Sequence, residues 1–123
     1  MRSRNLFESF RFAFSGLWYA LRTQRNTRIH LAISVVVVGL GLWLNLAAIQ
    51  WAVLALTIGV VLVSEMLNTV AETLVDLASP GFHPLAKVVK DVTAGAVLLA
   101  AIVSIVVGLL VLGPPLWERF MGH

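Results

Sequence analysis

The stretch AVLALTIGVVLVSEMLNTVAETLVD, residues 52–76, decides the fold. Residues 52–63 carry no charged side chain and read as helix inside a bilayer, whereas residues 64–76 bear Glu65, Asn68, Glu72 and Asp76 at intervals of three, four and four. That spacing keeps all four on one face of a single continuing helix. A carboxylate at the edge of hydrocarbon is expensive, so the face is expected to turn toward protein, metal or water rather than lipid.

Working outward, the helix is predicted over 49–78, with its acidic part extending into the cytoplasm. Before it, LAISVVVVGLGLWLNLAA, residues 31–48, is long enough at about 27 Å to cross the hydrocarbon core. Asn45 marks an uncharged turn between these two spans, and Trp43 and Trp51 fall where interfacial aromatics belong. Ser79, Pro80 and Gly81 break the second helix, and Pro84 suits the first turn of a new short helix. A third span is predicted over 93–112, closed by Gly113, Pro114 and Pro115, with Trp117 and Arg119 at the far interface.

At the N-terminal side, Leu6, Phe7, Phe10, Phe14, Leu17, Trp18 and Leu21 recur at helical spacing. Residues 5–25 therefore read as an amphipathic helix lying on the membrane surface, with Gly16 able to admit one close helix contact. The expected fold is an all-α integral membrane protein, a single membrane domain over 1–123. It has an N-terminal amphipathic surface helix plus three transmembrane helices.

Composition agrees. Of 123 residues, 59% are hydrophobic and 12% charged, against roughly a quarter charged in a typical soluble domain. A soluble fold of this length has too little interior to hide so much apolar surface. There is no cysteine, which removes disulfide and thiol chemistry. The formal net charge of +3 is read as membrane orientation rather than nucleic-acid binding. Arg2, Arg4, Arg11, Arg22, Arg25 and Arg28 precede the first span, Lys87 and Lys90 lie between the second and third, and Arg119 alone follows the third. The positive-inside rule then puts the N-terminus and residues 79–92 in the cytoplasm and the C-terminus outside. A cleaved secretory signal is not expected, because the first apolar run begins only near residue 31. An Arg-rich transit peptide fits residues 5–25 less well than an interfacial helix does.

The acidic face has several uses. Lys90 can pair with Glu72 or Asp76, and Asn68 can bind helices together, in a purely structural account. Three acids and an Asn nevertheless exceed what the nearby lysines neutralise, and carboxylate with amide oxygen suits Mg²⁺. Phosphoryl transfer needs a cation on the phosphates, a basic group and a carboxylate that orients an alcohol, all of which this region offers. No GxxxxGK[ST] loop is present, so a nucleotide site would have to be built differently. A proton or ion pathway would use similar residues.

EMLNTVAETLVD at 65–76, followed by PLAKVVKDVTAGAV at 84–97, resembles the signature of the small bacterial integral-membrane lipid kinases. This is the prokaryotic diacylglycerol kinase and undecaprenol kinase family. RNTRIHLA at 25–32 is similar to its undecaprenol-kinase branch, and the likeness runs over roughly residues 5–112. The resemblance implies ATP-dependent phosphorylation of a lipid hydroxyl in the bacterial cytoplasmic (inner) membrane by a homotrimer with shared active sites. It assigns Glu65 as catalytic base and Glu72 as a ligand of Mg²⁺ on the nucleotide. Asn68, Asp76, His83, Lys90 and Asp91 fall on family positions around ATP. A Glu that joins in metal binding at the end of the surface helix is replaced here by Gln24, whose amide can ligate but brings no charge. The favoured acceptor on this reading is undecaprenol, with diacylglycerol as the alternative; from another class, a non-enzymatic helical oligomer or ion pathway is the competing function.

Overall fold

The computed structural model describes residues 5–122; Arg2 and Arg4 lie outside the described residues. The chain is all helix: α1 (Leu6–Thr23), α2 (Arg25–Leu44), α3 (Ala48–Ala78) and α4 (Pro84–Trp117), with a wider π-type turn at Glu118–Gly122. Three helical stretches, Arg25–Leu44, Ala48–Ala78 and Pro84–Gly122, are long and apolar enough to cross a membrane, and α1 is an additional N-terminal helix outside that set.

Asn5 starts α1. Its backbone is extended, and its side-chain oxygen accepts the Glu8 N–H at 2.9 Å, satisfying one of the helix's orphan donors. The aromatic stripe of α1 faces outward, with Phe7, Phe10, Phe14 and Trp18 all exposed, while Ala20 is buried against the bundle. Gly16 has open space beside it in the protomer. α1 stops at Gln24, whose extended backbone (φ −111°, ψ 113°) ends one helix and begins the next. Arg28 then reaches back and donates through Nη1 to the carbonyls of Leu21 (2.9 Å) and Arg22 (3.0 Å). A cation on the free carbonyls of a helix C-terminus is favourable in both hydrogen bonding and dipole terms. This clamp fixes the corner between α1 and α2.

The helix that carries the apolar run at 31–48 begins before that run and ends within it. Arg25–His30 is already helical, because polar residues at a membrane boundary continue a helix whose backbone bonds are satisfied internally. The helix ends at Leu44 because Asn45 takes the left-handed conformation (φ 55°, ψ 57°), which Asn tolerates better than most residues. Ala47 then donates its N–H to Gln50 Oε1 at 2.8 Å, and α3 begins. The hairpin closes over Gly41: a Cβ there would lie 2.6 Å from Cη2 of Trp51. Gly39 and Gly59, by contrast, face open space in the protomer.

α3 has 31 residues, about 46 Å at 1.5 Å each, so it outruns a hydrocarbon core of roughly 30 Å. It packs chiefly on α4. Ser79 and Pro80 end it, and His83 opens α4 by accepting the Leu85 N–H on Nδ1 at 3.1 Å, with Pro84 at the first helical position. The short helix expected after Pro84 does not exist as a separate element, since α4 runs unbroken into the third span. Nor do Gly113, Pro114 and Pro115 end that span. The two prolines deprive the carbonyls of Leu110 and Val111 of donors, but their fixed φ suits a helix and only its last turn is affected. The Glu118 N–H caps the Pro114 and Pro115 carbonyls. The following turn sets the Arg119 guanidinium 4.5 Å above the Trp43 ring and the Phe120 ring 5.8 Å from it, an anchor that holds the continuation in place.

Among the described residues, the buried apolar side chains are Ala20, Leu54, Val61 and Leu112, while most large hydrophobics point outward. Such an inventory is untenable in water and ordinary in lipid.

Candidate active site

The buried face of α3 changes character along its length. Leu54 and Val61 are buried, then Glu65 and Thr69 on the same side. Beyond them Asn68 and Glu72 are half-buried and Asp76 is exposed. The polar stripe therefore continues an inward-facing apolar one. Glu65 lies 17 residues into a helix that starts at Ala48, roughly 26 Å along its axis, close to where a bilayer core would end.

Glu65 is 2% exposed. Its Oε1 lies 3.2 Å from Nε2 of His30 on α2, within ion-pair distance but without the alignment of a hydrogen bond. Oε1 shares that lack with two other buried oxygens, Asn68 Oδ1 and Thr27 Oγ1, counted among the described residues. Buried polar atoms are normally satisfied, so Glu65 Oε1 and Asn68 Oδ1, three residues apart on α3, mark a place where something else binds or water enters. A cavity of ≈ 70 Å³ opens beside His30, bounded by Ser34, Leu54, Val61 and Ser104.

His30 is the residue that sequence reasoning passed over. It lies within the RNTRIHLA stretch, yet a lone His has no periodic companions, and its contact with Glu65 depends on how two helices pack. One signal was present: His30 is the last ionisable group before the apolar run.

Nearer the exposed end, Lys90 Nζ donates to Asp76 Oδ1 at 2.9 Å, and Lys87 Nζ to Asp91 Oδ2 at 2.6 Å. The neighbouring Lys90 and Asp91 thus pair with different partners. Among the described residues, Glu72 itself has no cation at ion-pair distance. His83 serves as the cap of α4 on the adjoining surface, with Nδ1 engaged.

Gln24 is half-buried at the α1–α2 corner and makes no side-chain cap bond there. No group of three or more His, Cys, Asp or Glu able to hold a metal occurs among the described residues. Among the described residues, then, no cage of three such side chains is built for a cation. Mg²⁺ does not require one, since it commonly binds through one or two carboxylates with water and substrate phosphates. Glu72, with no cation at ion-pair distance among the described residues and with Asn68 one turn away on the same helix face, fits that mode.

Comparison with known proteins gives a consistent result. Residues 11–112 match the family described as prokaryotic diacylglycerol kinase. A diacylglycerol kinase of Synechocystis sp. is 51% identical over 113 residues, 91% of this chain. The chain spans 65% of that relative's length, just under two thirds. An undecaprenol kinase of Bacillus subtilis is 42% identical over 110 residues, 89% of each chain. The diacylglycerol kinase of Escherichia coli K12 is 28% identical over 112 residues, 89% of this chain and 86% of its own. The chain belongs to the prokaryotic diacylglycerol kinase family.

Proposed function

Starting from that membership, we propose that the chain transfers the terminal phosphoryl group of ATP to the hydroxyl of a membrane lipid at the acidic face of α3. The observation that carries the reading is Glu65: a carboxylate 2% exposed, 3.2 Å from His30 Nε2 but outside any hydrogen bond, on the polar continuation of an apolar helix face. A base in that position takes the alcohol proton as the oxygen attacks phosphorus. Glu72 and Gln24 are the residues proposed to hold Mg²⁺, which when bound would offset the phosphate charge. Asn68, Asp76, His83, Lys90 and Asp91 are proposed to receive the nucleotide. The seven residues from Glu65 to Glu72 separate them by about 10.5 Å along the helix. That is too far to share one ion, but a triphosphate spans much of it.

Diacylglycerol is the acceptor favoured here. The family resemblance by itself favours undecaprenol, chiefly through the RIHL segment at 28–31 and the HPLAKVVKD run at 83–91. The comparisons weigh the other way: the relative named a diacylglycerol kinase is 51% identical, against 42% for the one named an undecaprenol kinase. The second reading keeps its place because that relative matches over 89% of both chains. Purified protein in mixed micelles, given each alcohol with labelled ATP, decides between them by kcat/KM. An acidic seam that passes protons in proteoliposomes, with no Mg²⁺-dependent nucleotide binding, would replace the kinase reading with an ion pathway.

We also propose a homotrimer with sites shared between subunits, in the bacterial inner membrane, N-terminus cytoplasmic and C-terminus outside. The small buried inventory of the protomer supports assembly, and the arginines and lysines near the span ends support the orientation. Mixing Glu65→Gln with Glu72→Gln subunits should restore activity in some mixed oligomers. No rescue, with mixing confirmed, places each site within one chain.

A further inference from the structure

Residues 31–64 contain no ionisable side chain. The groups flanking this stretch are His30 on α2 and Glu65 on α3, and the hairpin brings them together at 3.2 Å. Their exposures differ: the Glu65 side chain is 3% exposed and that of His30 is 21%. Among the described residues, the charged groups that act on Glu65 are His30 and, from its own helix, Glu72. Phosphoryl transfer to an alcohol releases a proton, and a carboxyl so deeply buried has almost no water to hand it to.

We propose that His30 acts through Glu65 as its proton acceptor, returning the carboxylate to its ionised form after each turnover. This rests on reading Glu65 as the base. In the step itself the alcohol O–H breaks as the new O–P bond forms, the terminal phosphoanhydride bond breaks, and nucleoside diphosphate leaves. The proton goes to Glu65, then from its Oε1 to His30 Nε2, giving an imidazolium beside a carboxylate. The imidazolium then releases one proton to water, and exchange with solvent leaves the remaining one on Nδ1, so that Nε2 is again the acceptor at the next turnover. The pair stands at 3.2 Å, the outer edge of hydrogen-bond reach, and transfer requires a small side-chain rotation that aligns Oε1 with Nε2. Histidine is suited to it because it takes up and releases protons near neutral pH.

The test uses the full chain in mixed micelles with its lipid alcohol. It compares wild type, His30→Gln and His30→Ala, with folding and oligomer size checked in each. Gln keeps an N–H that can hold Glu65 in place but cannot carry a proton. Both variants are expected to lose about 10²-fold in kcat, with KM for ATP and lipid within about twofold and the pH profile of kcat changed. Millimolar imidazole should restore His30→Ala, which has room for it, and leave His30→Gln unchanged. If His30→Gln keeps wild-type kcat and pH profile, His30 is only a packing or positioning contact and the inference is wrong. It is equally wrong if folded His30→Ala is not rescued. Should His30→Ala not fold, the His30→Gln profile decides alone. A separate arm needs no turnover: the ¹⁵N shifts of His30 titrated in wild type and in Glu65→Gln. An unmoved midpoint refutes the pairing. Wild type that phosphorylates neither alcohol refutes the kinase reading instead, and the titration then still tells the two failures apart.

Discussion

The α2–α3 turn and the carboxylate-bearing end of the same helices treat polar groups in opposite ways. At the turn, Gln50 takes the Ala47 N–H, Trp51 fills the space over Gly41, and Arg119 sits on the Trp43 ring. At the other end, Glu65 Oε1, Asn68 Oδ1 and Thr27 Oγ1 are buried without hydrogen-bond partners among the described residues. One end is completed within a single chain. The other holds acceptors that a substrate, a cation, water or a neighbouring subunit has to satisfy, which is how a site differs from a core.

Substitutions can break or sharpen that contrast. The largest effect is expected for Glu65→Gln, which removes the base while nearly conserving shape. Its kcat should fall by about 10²–10⁴-fold, with nucleotide affinity retained in calorimetry using a non-hydrolysable analogue. Abolished nucleotide binding in intact oligomers would move Glu65 out of the role of base. Glu72→Gln comes next, raising the KM for Mg²⁺–ATP by an expected tenfold or more, about 1.4 kcal/mol, with partial recovery in excess Mg²⁺. Unchanged nucleotide binding there would leave the free carboxylate of Glu72 unexplained.

At the turn the expected losses are in stability and not in chemistry. Gly41→Ala forces its new methyl against the Trp51 ring and should cost about 1–3 kcal/mol, read as a lower unfolding midpoint in detergent. Gly39→Ala, with open space beside it, is the control and should match wild type. If the two behave alike, the hairpin is looser than its geometry indicates. The smallest change is expected for Arg119→Ala, about 0.5–1 kcal/mol for one cation–π contact, with kcat unaltered. A kcat effect from so far away would mean that the two ends are coupled.

The two ends also differed in how well they could be read from the sequence. The stripe Glu65, Asn68, Glu72, Asp76 was legible because helical periodicity alone puts it on one face, and α3 does present it so. Asn45 and the break at Ser79–Gly81 were legible from residues whose backbone preferences are local. The start of α2 was not, because residues 25–30, polar except for Ile29, carry no apolar periodicity although they are helical. Pro114 and Pro115 misled for a tertiary reason: local propensity says stop, while contacts of Arg119 and Phe120 with Trp43 hold the continuation. His30 escaped because its significance is a distance between helices.

The charge-free stretch at 31–64, folded back on itself at Asn45, bears on how the protein reaches its membrane. A segment entering a bilayer as two preformed antiparallel helices must carry its connecting turn to the opposite face. Here that turn spans residues 45–47 and bears no ionised group, and Gln50 has already taken one of its free backbone donors. The helical pair can therefore go in as one unit without dragging a charge through hydrocarbon. His30 and Glu65, the first groups that would resist entry, stop together on the side from which insertion began.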